Sequence, residues 1–171
     1  MNILETDRLI LRWFELNDAP FIVKLLNEPG WKQFIGDRGI NSIEAARSYI
    51  FTRLIASYQQ HGFGLYAVQL KQNATLIGMC GLVKRDALDD VDIGFALLAD
   101  YEGRGYATEA AQAMLTHARD DHVLQRIVAI TTDDNDRSIR LLLRIGMAYR
   151  ETVRLAGDAG PLDLYSMQLT G

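Results

Sequence analysis

The stretch YEGRGYATEA at positions 101–110 has the composition of an anion-binding turn. Gly103 and Gly105 carry no side chains that would obstruct the backbone N–H groups, and Arg104 between them adds a positive charge. The residues that follow have helical spacing, so the unpaired N–H groups and the positive end of a helix dipole would face the same ligand. Taken alone, the stretch predicts a site for a phosphate or another anion.

Three other interpretations of this turn remain open on these residues. A P-loop would end in Gly-Lys-Ser/Thr, but Gly105 is followed by Tyr106 and Ala107, so the lysine that reaches the phosphates is missing. A dinucleotide-binding fingerprint would have a third glycine where Thr108 stands. The glycines could also form a tight turn that binds nothing.

Such a turn needs a strand before it and a helix after it, and the hydrophobic pattern predicts both. Alternating or continuous apolar runs predict seven strands, at 8–14, 64–70, 75–85, 91–98, 126–132, 147–155 and 162–169. Capping residues and helical spacing predict four helices, from Asn17 or Asp18 to near Pro29, from Ser42 to before Gly62, from the turn through Ala118, and from about Asp136 to Ile145.

The order of these elements predicts an α+β fold, with helices packed on a mixed sheet. The strands on either side of the third helix should be parallel and joined by a right-handed crossover. A loop broken by glycines, 30–41, separates the first two helices. A length of 171 residues suits one domain, 1–171.

Composition and charge exclude several classes of protein. Lys and Arg number 18 against 22 Asp and Glu, which argues against a nucleic-acid partner. Cys80 is the sole cysteine and is expected to be buried as a small apolar residue. His61, His117 and His122 lack metal-ligand spacing, so no metal is expected. The first residues do not resemble a signal peptide and no apolar run approaches ~18 residues, so we expect a cytoplasmic protein without membrane attachment.

Four segments together resemble the GNAT acetyltransferase superfamily, and within it the RimJ and RimL type of ribosomal-protein N-terminal acetyltransferase. They are TDRLILR at 6–12, DIGFAL at 92–97, YEGRGYATEA at 101–110 and NDRSIRLLLRIGM at 135–147, and they occur in the family's order. The resemblance implies a GNAT-like fold with a mostly antiparallel sheet of about seven strands and about four helices. It also implies that acetyl-CoA is the cosubstrate.

The resemblance further implies which residues bind acetyl-CoA. The main chain of 102–107 would hold the pyrophosphate, and Glu102 departs from the Gln or Arg that usually leads this pattern. A strand that splays from its neighbour would hold the pantetheine arm through its backbone near Phe95 and Leu97. The expected cofactor-binding residues are Phe95, Leu97, Glu102, Gly103, Arg104, Gly105, Tyr106, Ala107, Asn135 and Ser138.

Two residues are carried over as catalytic candidates. Asp92 stands where this branch commonly has Glu and would accept the amine's proton through a water. The alternative is that Asp92, in an acidic segment, is a solvated strand end or attracts a cationic substrate. Ser138 is the candidate near the sulfur, because Leu142 stands where much of the superfamily has the Tyr that protonates the thiolate. Asn135 and Ser138 are also ordinary residues for a helix N-cap and first turn.

The remaining candidates concern the acceptor and the phosphates. Trp31, Phe34 and Asp37 in the 30–41 loop, together with Tyr165 on the last strand, are expected to line the acceptor site, although Tyr165 also suits a core position. Arg137, Arg140 and Arg144 form a helical stripe that is interpreted as a solvated face, with contact to the adenosine 3′-phosphate as the alternative.

The resulting hypothesis is an acetyl-CoA-dependent N-acetyltransferase in which a primary amine attacks the thioester directly in a ternary complex. The acceptor is a protein N-terminus or a small amine such as a polyamine, an antibiotic or an amino acid. A non-catalytic acyl-CoA-binding module is the alternative from another class. The expected partners are the amine acceptor and, as an alternative to a monomer, a second copy in a homodimer.

Overall fold

The computed structural model describes residues 1–34, 38–155 and 160–169. In these ranges eight strands form one sheet: β1 (Asn2–Glu5), β2 (Leu9–Arg12), β3 (Leu65–Leu70), β4 (Leu76–Val83), β5 (Asp92–Leu97), β6 (Arg126–Thr131), β7 (Ala148–Arg154) and β8 (Pro161–Gln168). Their spatial order is β1-β2-β3-β4-β5-β6-β8-β7. Every neighbouring pair is antiparallel except β5 and β6, which are parallel. The mixed, mostly antiparallel sheet is confirmed.

The additional strand relative to the seven expected is β1. It has four residues and pairs only with β2, with Asn2 opposite Arg12 and Glu5 opposite Ile10. Its sequence, NILE, has two adjacent apolar residues and no strand-like alternation, so its extended conformation depends on the neighbouring strand.

The helices form five continuous runs in the described ranges, one more than expected. They are α1 (Ala19–Leu26), α2 (Pro29–Phe34), α3 (Ile43–Tyr49) with α4 (Ala56–His61), α5 (Tyr106–Asp120) and α6 (Asp136–Arg144). A π-helical segment, Ile50–Ile55, joins α3 to α4, so this run matches the single helix predicted there. The additional helix is α2, which replaces the first part of the expected 30–41 loop. Pro29 occupies its first position, where a missing N–H group costs nothing.

The buried face of α5 agrees with its predicted spacing, because Ala110, Ala111, Met114, Leu115 and Ala118 are all buried. Their mostly small side chains bring the helix close to the sheet and place its first turn at the end of β5. None of the helices in the described ranges has the length and apolarity needed to cross a membrane.

The phase of α6 differs from the prediction. Leu141 and Leu142 are buried, whereas Leu143 is 55% exposed. Helical spacing in the sequence predicts Ile139, Leu142 and Leu143 on the inner face of this helix. The prediction for Leu143 is wrong, because three consecutive leucines occupy successive 100° positions and only two of them reach the core.

Candidate active site

The site begins where β5 and β6 separate. Asp92 is opposite Val128, and the Val128 N–H donates to the Val91 carbonyl at 3.1 Å. This is the one register pair of the two strands in the described residues, although β5 continues to Leu97. On its other side β5 stays paired with β4 along its whole length. The backbone edge of β5 that faces β6 is therefore open beyond Asp92.

β5 and β6 thus form a V that is closed at Asp92 and open toward Leu97. A cavity of about 540 Å³ lies at the open end of this V. It is lined by β5, α5, α6, the glycine turn at 102–105 and the α1–α2 segment at 25–31. Cavities of about 300–1,000 Å³ are typical of small-molecule sites. The cavity brings together these predicted site residues: Trp31, Phe95, Leu97, Glu102, Gly103, Gly105, Tyr106, Ala107, Asn135 and Ser138.

The glycine turn has the backbone conformation that an anion site needs. Gly103 and Gly105 have φ values of +78° and +83°, a region that other residues rarely adopt. Gly105 is the N-cap of α5, so the first N–H groups of a 15-residue helix start at the cavity wall. A Cβ atom at Gly103 would meet nothing within 4 Å, which leaves room for a ligand against the backbone. These features fit a phosphate group of coenzyme A.

Arg104 does not line the cavity with the rest of the turn. Its guanidinium carbon lies 5.7 Å from the centre of the Tyr101 ring. Its carbonyl oxygen accepts a hydrogen bond from Arg8 Nη1 at 3.0 Å. Arg104 therefore contacts Arg8 through its backbone carbonyl, while its side chain lies against Tyr101.

Asn135 and Ser138 lie together at the start of α6, and both line the cavity. Asn135 Oδ1 accepts the Ser138 N–H at 3.3 Å, so the capping role considered from the sequence is present. The cap uses the oxygen of the side chain, and the amide N–H groups remain as donors toward a ligand. Capping and ligand binding are thus compatible at Asn135.

The arginines of α6 are exposed, and they also line the cavity. Arg137, Arg140 and Arg144 share this wall with Glu102. Arg137 Nε lies 3.4 Å from Glu102 Oε2. The stripe is therefore exposed, as the solvated-face interpretation predicts, and it also lies beside the glycine turn.

Asp92 lies at the vertex of the V rather than in the cavity wall. Its side chain is 2% exposed, and its Oδ2 atom lies 2.6 Å from Arg85 Nε. Burial raises the pKa of the Asp92 carboxyl group, and this effect outweighs the opposing charge and hydrogen bond of Arg85. The interpretation of Asp92 as a solvated strand end is wrong, because the carboxylate is buried in an ion pair.

Tyr165 and Leu142 do not line the cavity. Tyr165 is 5% exposed, belongs to the main core and packs edge-to-face on Tyr149 at 5.9 Å. Leu142 is 1% exposed and belongs to the same core. Phe34 is the last residue of α2, while Asp37 lies outside the described residues. In the described ranges, no three His, Cys, Asp or Glu side chains are placed to share a metal ion.

Arg8 and Glu109 were not predicted as site residues, and they lie next to the glycine turn but outside the cavity wall. Glu109 in the first turn of α5 accepts hydrogen bonds from Thr6 and Arg8, and Arg8 also reaches the turn itself. Both belong to segments singled out by their motifs. Nothing in the pattern indicates that the two segments touch.

The sequence is similar to those of known proteins. Residues 8–148 match the family described as acetyltransferase (GNAT) domain. The uncharacterized N-acetyltransferase YoaA of Bacillus subtilis is 30% identical over 153 residues, which cover 89% of this chain and 86% of YoaA.

Solved structures have the same fold. An acetyltransferase from Agrobacterium tumefaciens has a TM-score of 0.81 and 25% identity, and the match covers 98% of this chain and 94% of the other. RimL, a ribosomal α-N-protein acetyltransferase solved in complex with coenzyme A, has a TM-score of 0.83 and 20% identity, with 98% of both chains covered.

Proposed function

The chain belongs to the GNAT acetyltransferase family and is an N-acetyltransferase that uses acetyl-CoA, and from this premise we propose that a primary amine attacks the thioester directly in a ternary complex. The observation that carries the proposal is that the glycine turn and the open edge of β5 line the same cavity. One end of this cavity suits a pyrophosphate, and the strand edge suits an extended amide-bearing arm. A direct transfer needs the amine to enter the same space.

Each wall of the cavity has a proposed binding role. Acetyl-CoA supplies the acetyl group as an activated thioester. The backbone N–H groups of 103–107 and the start of α5 would bind its pyrophosphate. Backbone groups of β5 near Phe95 and Leu97 would pair with the pantetheine amides, and Asn135 would donate to the same arm. Arg140 and Arg144 are the cations proposed for the 3′-phosphate.

Asp92 and Ser138 are the proposed proton-handling groups. Asp92 lies at the vertex of the V, on the strand whose far end lines the cavity. A raised pKa suits a carboxylate that must take a proton from an ammonium group near neutral pH. Asp92 must be free of its ion pair with Arg85 to accept a proton. Arg85 is 38% exposed, so its side chain has room to turn toward solvent. Ser138 lines the cavity and is the hydroxyl proposed to serve the leaving thiolate.

A protein or peptide N-terminus is the acceptor we propose. The support is the resemblance to the RimJ and RimL type, together with Glu28 and Trp31 of the α1–α2 segment, which line the cavity. A small amine is the second candidate. The acidic segment 86–92 would suit a cationic amine, but Asp90 and Asp92 already pair with Arg126 and Arg85. That pairing weakens the case for a polycation.

The experiment combines cofactor binding with transfer to a panel of amines. Acetyl-CoA at 100 times its dissociation constant should raise the free energy of unfolding by about 2.7 kcal/mol. Release of free CoA thiol should then depend on an amine, with peptides that begin in Ala or Ser compared against spermidine, aminoglycosides and free amino acids.

Each result has a distinct meaning. Absence of the stability increase would refute the cofactor site. Binding without thiol release for any amine would support the non-catalytic module. Turnover with small amines and none with peptides would assign the second acceptor class. Initial rates that depend on both substrates in a parallel-line pattern would contradict direct transfer, because that pattern indicates a covalent acetyl-enzyme.

A further inference from the structure

Arg8 connects the N-terminal strands to the glycine turn across 96 residues of sequence. It lies in the bend between β1 and β2, outside the cavity wall. Its Nη1 atom donates to the Arg104 carbonyl at 3.0 Å, and its Nε atom donates to Glu109 Oε1 at 2.8 Å. One planar guanidinium therefore holds both the turn and the first turn of α5.

Further contacts hold Arg8 and Glu109 in position. The Arg8 backbone N–H donates to Glu109 Oε2 at 3.0 Å, and the Thr6 hydroxyl donates to the same oxygen. The Leu9 N–H donates to Thr6 Oγ1 at 3.0 Å. The guanidinium carbon also lies 4.4 Å from the centre of the Tyr106 ring. Arg8 is thus fixed by backbone, charge and ring contacts.

The hydrogen bond to Arg104 has a consequence for the next residue. In a trans peptide unit the C=O and N–H groups point to opposite sides. The Arg104 carbonyl points toward Arg8, so the Gly105 N–H of the same peptide unit points away from Arg8. A Cβ atom at Gly105 would lie 3.3 Å from Arg8 Nη2, and Gly105 lines the cavity.

We propose that Arg8 is a positioning residue for the pyrophosphate: it fixes the Arg104–Gly105 peptide plane so that the Gly105 N–H faces the cavity, without touching the ligand. The inference rests on the proposed function, in which this turn binds the pyrophosphate. It assigns the TDRL segment a role in cofactor affinity rather than in folding alone.

The test compares two acetyl donors in Arg8→Lys. Lysine keeps the positive charge but lacks the planar fork that binds Glu109 and the Arg104 carbonyl together. We expect kcat/KM for acetyl-CoA to fall by about tenfold, the loss of one charge-assisted hydrogen bond. Acetyl-pantetheine carries the same thioester without a pyrophosphate, so its kcat/KM should stay within about twofold, the range of an untouched site.

The matched control is Arg12→Lys. Arg12 lies on β2 and forms a two-point ion pair with Asp18, far from the glycine turn in sequence and contact. In this variant kcat/KM should match the wild-type value for both acetyl-CoA and acetyl-pantetheine. If Arg8→Lys fails to fold, Glu109→Gln tests the same contact, since a neutral amide weakens the anchor of Arg8, and it should show the same split with a smaller ratio.

Three outcomes would overturn the inference. Equal losses for both donors would assign Arg8 to general stability. An unchanged kcat/KM for acetyl-CoA in Arg8→Lys would show that the peptide plane does not need Arg8. A wild-type protein that does not prefer acetyl-CoA over acetyl-pantetheine would refute the pyrophosphate site, and this inference with it. The first two outcomes leave the proposed function intact.

Discussion

Arg137 Nε lies 3.4 Å from Glu102 Oε2, and this ion pair joins α6 to the glycine turn at the wall of the cavity. Glu102 stands where the resemblance predicts Gln or Arg, so it places a negative charge beside the proposed pyrophosphate site. Arg137 offsets that charge in the structure. The departure at Glu102 is therefore paired with a compensating cation from a distant helix.

This pairing predicts a non-additive double-mutant cycle. Arg137→Ala should raise the Kd for acetyl-CoA by about tenfold, because it removes a cation from the cavity wall and leaves Glu102 unpaired beside the phosphates. In a Glu102→Gln background the same change should cost about threefold, since no carboxylate is then exposed to the phosphates. Isothermal titration calorimetry of the four proteins at two salt concentrations measures the coupling. Equal effects in both backgrounds would contradict it.

Gly105→Ala should weaken acetyl-CoA binding in addition to straining the backbone. A residue with a Cβ atom at φ +83° costs about 1–2 kcal/mol, and here the atom would press on Arg8. The control is Gly62→Ala, which has the same strain at φ +78° in the C-cap of α4 with nothing within 4 Å of the added atom. Thermal unfolding should show losses in both variants. A similar Kd for acetyl-CoA in both would argue against the turn as the binding site.

Asp92→Asn should lower kcat by about 10²–10⁴-fold while the Kd for acetyl-CoA stays unchanged, as expected for loss of a general base. Arg85→Gln breaks the same 2.6 Å ion pair but keeps the carboxylate, so it should retain most of the rate. Raised by burial, the pKa of Asp92 should place the acid limb of the wild-type kcat profile above the ordinary value of 3.8. Equal losses in both variants would assign Asp92 to the ion pair rather than to proton transfer.

Glu109 should make the stability of the protein depend on acid pH. Partial burial raises the pKa of Glu109, but hydrogen bonds from Thr6 and Arg8 outweigh this effect and bring it below the ordinary value of 4.5. Because the folded-state pKa is the lower one, the stabilisation is complete above the unfolded value and is lost as the pH falls through the folded value. Glu109→Gln should therefore be less stable than the wild type at pH 7, and the difference should shrink below pH 4.5.

Urea unfolding between pH 7 and pH 3 measures this difference. Glu44→Gln is the matched control, since Glu44 also stands in the first turn of a helix but has no tertiary partner among the described residues. A difference that is the same at every pH for Glu109→Gln would contradict the ionic role of Glu109.

Cys80 should be unreactive in the folded protein. It is 1% exposed, and burial raises the pKa of its thiol to about 12, so neither access nor thiolate is available near neutral pH. Labelling with an alkylating reagent at pH 8 should reach completion only in denaturant. Rapid labelling of the native protein would show that β4 opens.

The sequence by itself determined the local features of this protein. Two glycines before a small-residue helix give the turn its positive φ values, and Asn135 caps α6, because these conformations follow from the residues' own chemistry. Periodicity similarly located α5 and seven of the eight strands. The missed elements are strand β1 and helix α2, with four and six residues. Strand β2 is as short as β1, but it has the alternating burial of a strand, which β1 lacks.

Only the tertiary structure decided which of these features meet. Arg8 reaches Arg104 and Glu109, Arg137 reaches Glu102, and the partly exposed Arg85 pairs with the buried Asp92. Each contact depends on the order of the strands and on where β5 leaves β6. Hydrophobic period specifies which face of an element is buried but not which distant segment covers it. The chemical groups of the site could therefore be predicted from the sequence, while their pairing, burial and charge balance could not.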